Sequence, residues 1–360
     1  MQTLTYEYKL DPTPDRSKAF EQWLMICHKA YNFALRERKD WVNSRRCSVN
    51  ACSLKQEYIL PANAPKPTFY SQCKSLAAAK ETNPNLKIPH THIMQQVLRT
   101  LEASFVAMWE RGRGFPRFKK RMRSLLYAQL NKMPVKADRV NLPKIGWVKM
   151  RLSRPFPFGC ELKQVRVVKW ASGFYDATLA FQTFVEVPQP TPSAGGVGID
   201  LGLLHFLAKS ESELVARPRF LVDGQRKLKS LQRQLKPKTR GYRESQRLQP
   251  RIARHHESIS NARKDFHFKT AHHLCDSALM IFAEDLNLKA MSAGMLCKHT
   301  LDAGFRQFLS ILAHVWFMPE VYFAKVEANI TSQSCPNCQT HTGKIELSEP
   351  VRKCQTCGYQ

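Results

Sequence analysis

The chain is 360 residues long, room for two or three domains that each bury a core. Its 56 Lys and Arg against 29 Asp and Glu leave a net charge of +27, so the expected partner is a polyanion. No membrane partner is expected: the most apolar long stretch, Phe308 to Met318, carries His314, closes at Pro319 and Glu320, and is too short to span a bilayer.

Met1 to Lys9 lacks the basic and apolar regions of a signal peptide, which predicts a cytoplasmic protein whose cysteines at 27, 47, 52, 73, 160, 275 and 297 stay reduced. Leu4 to Leu10 alternates like a half-buried strand. Pro12 to Asp15 then opens a helix with Phe20, Trp23, Leu24, Cys27, Tyr31 and Leu35 on one apolar stripe. Residues 38 to 88 show little periodicity. A second amphipathic helix is predicted from Met94 to Glu110, ended by Arg-Gly-Arg-Gly at 111 to 114. From Ala128 to Val187 the pattern changes to short alternating strands: Arg139–Leu142, Trp147–Arg151, Val165–Val168 and Ala177–Gln182. They predict a small barrel-like β module with which the first strand is expected to pair. Pro188, Pro190 and Pro192 before Ser-Ala-Gly-Gly mark a linker. Beyond it come an apolar strand, Gly196 to Gly202, broken by Asp200, and a Lys/Arg-rich helical stretch over about 217 to 254 with Leu228, Leu231 and Leu235 on one face. A longer helix and the buried strand Ala278–Ala283 follow, and the alternation indicates an α/β core.

The strongest local signal is Cys335-Pro-Asn-Cys338 and Cys354-Gln-Thr-Cys357, separated by fifteen residues. Each tight knuckle aims two sulfurs at one ion, and four thiolates close a tetrahedral zinc site with no position left for substrate, so the expected zinc is structural. Asp200 and Glu284 stand in or just past apolar strands, where an unpaired charge is costly without a cation. Two carboxylates from different strands can hold divalent ions of the kind a two-metal nuclease uses. Read singly, each is also an ordinary turn or helix-opening acid, and the pattern does not choose Glu284 over Asp285. The 217 to 254 stretch sets 13 Lys or Arg against Asp223 and Glu244, which favours a polyanion surface over a merely solvated face. Gly114-Phe-Pro-Arg-Phe-Lys-Lys120 interleaves aromatics with cations, as a strand-tracking groove does. The candidate nucleic-acid contacts are Arg117, Lys119 and Lys120 there, and Arg226, Lys227, Lys229, Arg233 and Arg240 in the basic stretch. The histidines at 90, 92, 255, 256, 267, 272 and 273 lack ligand spacing and read as surface or packing residues.

Taken together, Gly-Ile-Asp-Leu-Gly at 198 to 202, Ala-Glu-Asp-Leu-Asn at 283 to 287 and Thr-Ser-Gln-Ser-Cys-Pro-Asn-Cys at 331 to 338 resemble the TnpB (OrfB) family. Gly-Phe-Pro-Arg-Phe-Lys at 114 to 119 and Leu-Pro-Lys-Ile-Gly-Trp-Val-Lys at 142 to 149 extend the likeness over essentially the whole chain. These are the accessory transposase proteins of bacterial insertion sequences. The resemblance implies an α+β multidomain fold: a wedge-like β-barrel (1–11 and 126–190) with an inserted helical recognition lobe (12–125), a RuvC-like, RNase H-type α/β nuclease domain (194–330), and a zinc ribbon (331–360). It implies DNA cleavage guided by an RNA transcribed from the element's end, so the expected partners are that guide RNA and target double-stranded DNA at the bacterial nucleoid. Asp200 and Glu284 match the family's first two metal-binding carboxylates, Mg or Mn is the implied catalytic ion, and the resemblance selects Glu284 over Asp285. In the family a third Asp follows the last zinc cysteine in an Asp-Arg-Asp-like segment, whereas this sequence ends Cys357-Gly-Tyr-Gln360. The expected consequence is a two-metal site short of one ligand, with cleavage slowed or lost. Phe317-Met-Pro-Glu320 also departs from the basic, Gly-containing helix end of the family. Two rival functions stand beside the guided nuclease: a non-cleaving RNA-guided DNA-binding protein or repressor, and a direct-acting transposase that needs no RNA.

Overall fold

A computed structural model describes residues 2–46, 60–61, 63–128, 130, 134–156, 159–183, 196–239, 241–291, 293–315, 321–326, 335, 337–338, 340 and 354–358. Arg240, the linker prolines, Phe317-Met-Pro-Glu320 and Thr331 to Ser334 lie outside them. The chain divides into two compact units, residues 1–185 and 186–360.

In the first unit β1 (Gln2–Asp11) buries Leu4, Tyr6, Tyr8 and Leu10 and leaves Thr3, Thr5 and Glu7 exposed, the period of two expected of a strand with one face on a core. Six more strands follow: β2 (Ser124–Tyr127), β3 (Val135–Lys136), β4 (Arg139–Leu142), β5 (Gly146–Arg151), β6 (Glu161–Lys169) and β7 (Tyr175–Thr183). They form one antiparallel sheet in the order β2-β6-β7-β1-β5-β4-β3, so the first strand does join the β module, at its middle. Among the described residues no pairing ties β2 to β3; the sheet is a curled half-barrel where the sequence suggested a barrel.

Among the described residues three α-helices and one short 3-10 helix (Pro84–Lys87) lie between β1 and β2 in the sequence. α1 (Pro14–Arg46) has Pro at its first position, where the missing N–H is not needed, and buries the predicted stripe from Phe20 to Leu35. Further along the helix Arg38, 3% exposed, has partners: its Nε donates to Gln72 Oε1 at 2.8 Å and its guanidinium pairs with Glu102 at 2.5 Å. Gln72 also donates to Ala34 O at 2.9 Å. It belongs to α2 (Phe69–Thr82), which starts with a reciprocal cap between Thr68 and Ser71 and packs beside α3 (Thr91–Glu110). α3 buries Ile93, Met94, Val97, Leu98, Leu101 and Phe105 at helical spacing.

The second unit starts with β8 (Gly196–Asp200), β9 (His205–Lys209) and β10 (Leu214–Ala216), followed by α4 (Phe220–Leu235) and α5 (Arg243–Ser277). Then come β11 (Met280–Glu284), α6 (Leu288–Met291), α7 (Cys297–Ala303), α8 (Phe305–Val315) and β12 (Tyr322–Val326). The sheet runs β10-β9-β8-β11-β12, with β8, β11 and β12 parallel and β9 reversed. The basic stretch is broken at 236 to 242, where Pro237 and the left-handed Gly241 (φ 97°) stop one helix before the next begins. The two helices then pack closely: a Cβ at Gly224 would come within 2.6 Å of Ile259 Cδ1, and His255 Nε2 lies 2.8 Å from Gly224 O. Among the described residues no helix is long and apolar enough to cross a membrane.

His267 sits in the middle of this core, fully buried, stacked on Phe206 and edge-on to Phe308, with Nε2 2.9 Å from Ala303 O. Burial pushes its pKa down to about 4. An unfolded histidine titrates near 6.5, so as pH falls the unfolded state takes up the proton first. The ring therefore leaves stability untouched above about pH 6.5 and removes up to ~3 kcal/mol as pH drops toward 4. His267→Gln is expected to flatten the dependence of the thermal midpoint on pH between those limits. An equally steep dependence in the variant would assign the acid sensitivity to other groups.

Candidate metal centres and nucleic-acid surfaces

Strand alternation decides which way the acids point. In β8, Val197 and Ile199 are buried while Gly196, Gly198 and Asp200 occupy the other face. In β11, Ile281 and Ala283 are buried, leaving Met280, Phe282 and Glu284 on the opposite side. The parallel register pairs Val197 with Ile281 and Ile199 with Ala283, so the next positions, Asp200 and Glu284, are neighbours on one face at the carboxyl ends of adjacent strands. Strands in a sheet stand about 4.8 Å apart, within reach of one shared ion. An added Cβ on Gly196 would come within 2.8 Å of the Phe282 ring, which independently puts both strands' second faces together.

Asp285 points the other way. Lys325 Nζ donates to its carboxylate at 2.7 Å, and both residues line a groove of about 450 Å³ with Phe323 of β12 and Arg306, Leu309 and Ala313 of α8. The strands are apolar on one face, but the acids themselves are not buried: Asp200 is exposed at the strand end and Glu284 half-buried. Burial therefore gives no reason for a cation here; two carboxylates side by side do, and oxygen ligands suit Mg or Mn. Among the described residues no third His, Cys, Asp or Glu joins them in a metal-sized cluster.

Cys335, Cys338, Cys354 and Cys357 do come together, all four sulfurs within 4.8 Å of one another. Cys335 Sγ stands 3.5 Å from Cys357 Sγ, and Cys338 Sγ 3.6 Å from Cys354 Sγ. A tetrahedral site with Zn–S bonds of about 2.3 Å places its sulfurs about 3.8 Å apart, so the cluster fits such an ion. Two of its thiols are also biased toward the thiolate. The backbone N–H groups of Cys357 and Thr356 hold Cys354 down to about 6, and the Thr340 hydroxyl lowers Cys338.

The basic candidates separate into two groups. Arg226, Lys227, Lys229 and Arg233 are exposed on α4, around the helix from the buried Leu228 and Leu231. Arg117 and Lys120 are exposed after α3. Lys119 is not a free surface cation: its Nζ lies 4.1 Å from the Tyr31 ring centroid, and desolvation lowers its pKa. Sequence reasoning missed what fixes that segment, the side chains of His28 and Asn32, which both meet Lys119 O. The signal was a polar pair four residues apart on the buried side of an otherwise apolar helix.

Comparison with known proteins adds a lineage to this geometry. A family model described as a probable transposase (OrfB) matches residues 180–294, and one described as a helix-turn-helix domain matches residues 1–47. Over the described part of the latter the structure has β1 and the single helix α1, with no turn between two helices. The chain is 30% identical over 293 residues to "Putative RNA-guided DNA endonuclease InsQ" of Escherichia coli (strain K12), covering 76% of this chain and 72% of that protein. It is 24% identical to a "Putative RNA-guided DNA endonuclease" of Streptomyces pristinaespiralis over 98% of this chain and 84% of the relative. "TnpB-like protein L770" of Acanthamoeba polyphaga mimivirus is 22% identical over 97% of this chain and 69% of its own length. Among solved structures, the Cas12f1–sgRNA–target DNA complex solved by cryo-EM holds a chain with a TM-score of 0.56 and 13% identity, covering 96% of this chain and 81% of that one, a likeness of fold.

Proposed function

This chain belongs to the TnpB (OrfB) family, and from that premise we propose that it is a transposon-encoded, RNA-guided DNA endonuclease. The observation that carries the chemistry is the placement of Asp200 and Glu284 on one face of two adjacent parallel strands. The mixed sheet beneath them, with α4, α5 and α8, supports the RuvC-like, RNase H-type reading of residues 194–330. The half-barrel supports the wedge reading of residues 1–11 and 126–190, with 12–125 as the recognition lobe.

Asp200 and Glu284 would hold a Mg or Mn ion through their carboxylate oxygens. Such an ion, when bound, supplies Lewis-acid stabilisation of a phosphodiester and an activated water. Asp285, tied to Lys325, holds the sheet edge instead. Among the described residues these two carboxylates supply less charge than a pair of divalent ions needs, so we propose that target binding is more robust than cutting. Cys335, Cys338, Cys354 and Cys357 would hold a structural zinc, closed to substrate, that fixes residues 331–360 as a ribbon.

A guide RNA reads sequence by base pairing, so the protein needs cationic surfaces for backbones more than a base-reading helix. A net charge of +27 supplies them. Binding of a matched guide RNA and target duplex is expected to weaken by about a thousandfold or more between low and physiological salt, as counterion release dictates for six or more phosphate contacts. A nearly flat salt dependence would defeat the polyanion reading. Equal DNA binding with matched guide, scrambled guide or no RNA would favour the direct-acting transposase.

A further inference from the structure

Residues 111 to 123, between α3 and β2, have no regular secondary structure, yet one side of the segment is fastened. Asn32 grips a single residue twice: its Nδ2 donates to Lys119 O at 2.9 Å and its Oδ1 accepts from Lys119 N at 2.9 Å. One turn earlier, His28 puts Nε2 2.6 Å from the same carbonyl. Phe115 packs edge-on against Phe105 of α3. The free side carries Arg117, Phe118, Lys120, Arg121 and Arg123, all exposed, and no acid occurs from 111 to 123. Among the described residues none of these four cations is in an ion pair.

Phe118 is 46% exposed, with Lys39 Nζ 5.4 Å from its ring centroid. The residue after the Asn32 grip, Phe33, is 74% exposed, between Lys29 and Arg36 on the surface of α1. Phosphate binding alone would call for the cations without the rings. Exposed rings set among cations on a fastened backbone suit bases whose faces are free. A duplex keeps its base faces stacked inside, whereas RNA loops and ends present them.

We propose that residues 117–121, positioned by His28 and Asn32, form a platform for an unpaired stretch of RNA. A base stacks on Phe118, Phe33 offers a second ring, and Arg117, Lys120 and Lys39 meet the flanking phosphates. This rests on the reading that the chain binds RNA.

The test uses the full chain and a short fluorescent oligouridine, with anisotropy at several salt concentrations and photo-cross-linking of its 4-thiouridine form. Phe118→Ala should weaken binding about tenfold with little change in salt slope, and Phe118→Trp should restore it. Arg117→Gln with Lys120→Gln should reduce the slope, and Asn32→Ala should weaken binding although it removes no charge. The cross-link should map to the peptide containing Phe118. Affinity unchanged in Phe118→Ala, a cross-link confined to other segments, or Phe118 dependence seen with oligothymidine and not with oligouridine would overturn the platform. A wild-type chain that binds no RNA at all overturns the functional reading itself, and the platform with it.

Discussion

In the 360 residues followed by an Asp-Arg-Asp segment, Asp200→Ala and Glu284→Ala are each expected to reduce guided DNA scission by about a thousandfold or more, while Asp285→Ala leaves it nearly unchanged. The contrast comes from the sheet: paired positions on parallel strands put Asp200 and Glu284 on one face, and the alternation of β11 sends Asp285 to the α8 side, where Lys325 holds it. Guide-dependent DNA binding should persist in all three variants, because the proposed grip on backbones lies with basic surfaces such as α4 and not with the acids. Calorimetric titration with Mn should show weakened binding in the first two variants alone. Loss of scission in Asp285→Ala with retention in Glu284→Ala would reverse the assignment.

Cys354→Ser should take the zinc content from one ion per chain to nearly none and unfold the cysteine region locally. Structural zinc in such thiolate sites is bound with an apparent ~10–16 kcal/mol, most of which is folding free energy for the segment it closes. Cys354 is buried, and two backbone N–H groups favour its thiolate, so a serine hydroxyl there is a poor substitute. Metal analysis and limited proteolysis are the measurements; full zinc occupancy in the variant would rule out this ligand set. The first compact unit, residues 1–185, lies outside the cysteine region and should keep its thermal transition.

Much of this was legible in the sequence wherever apolar spacing carried the signal. Leu4, Tyr6, Tyr8 and Leu10 announce β1, and the stripes of α1 and α3 are written in Phe20 to Leu35 and Ile93 to Phe105. The four cysteines were legible because their spacing is itself the geometry. α2 was hidden because the residue it buries is Gln72, anchored to Arg38 by hydrogen bonds that no hydrophobic period reveals. β12 and the short β9 and β10 were hidden because their pairing is set by tertiary partners. A basic stretch read as one helix is two, since charge pattern alone says nothing about where Pro237 and Gly241 turn the chain. The choice between Glu284 and Asp285 needed strand direction, and the reading of Lys119 as a nucleic-acid contact missed Tyr31 and Asn32 beneath it.

Guided scission of a matched duplex in Mg or Mn tests the endonuclease reading most directly. Three proteins should be compared with matched and scrambled guide RNA: the 360 residues, the same chain followed by an Asp-Arg-Asp segment, and that longer chain with Asp200→Ala. The expected result is matched-guide binding by all three, with scission that appears with the added acids and disappears with Asp200→Ala. Scission that ignores the guide, or that survives Asp200→Ala, would contradict it.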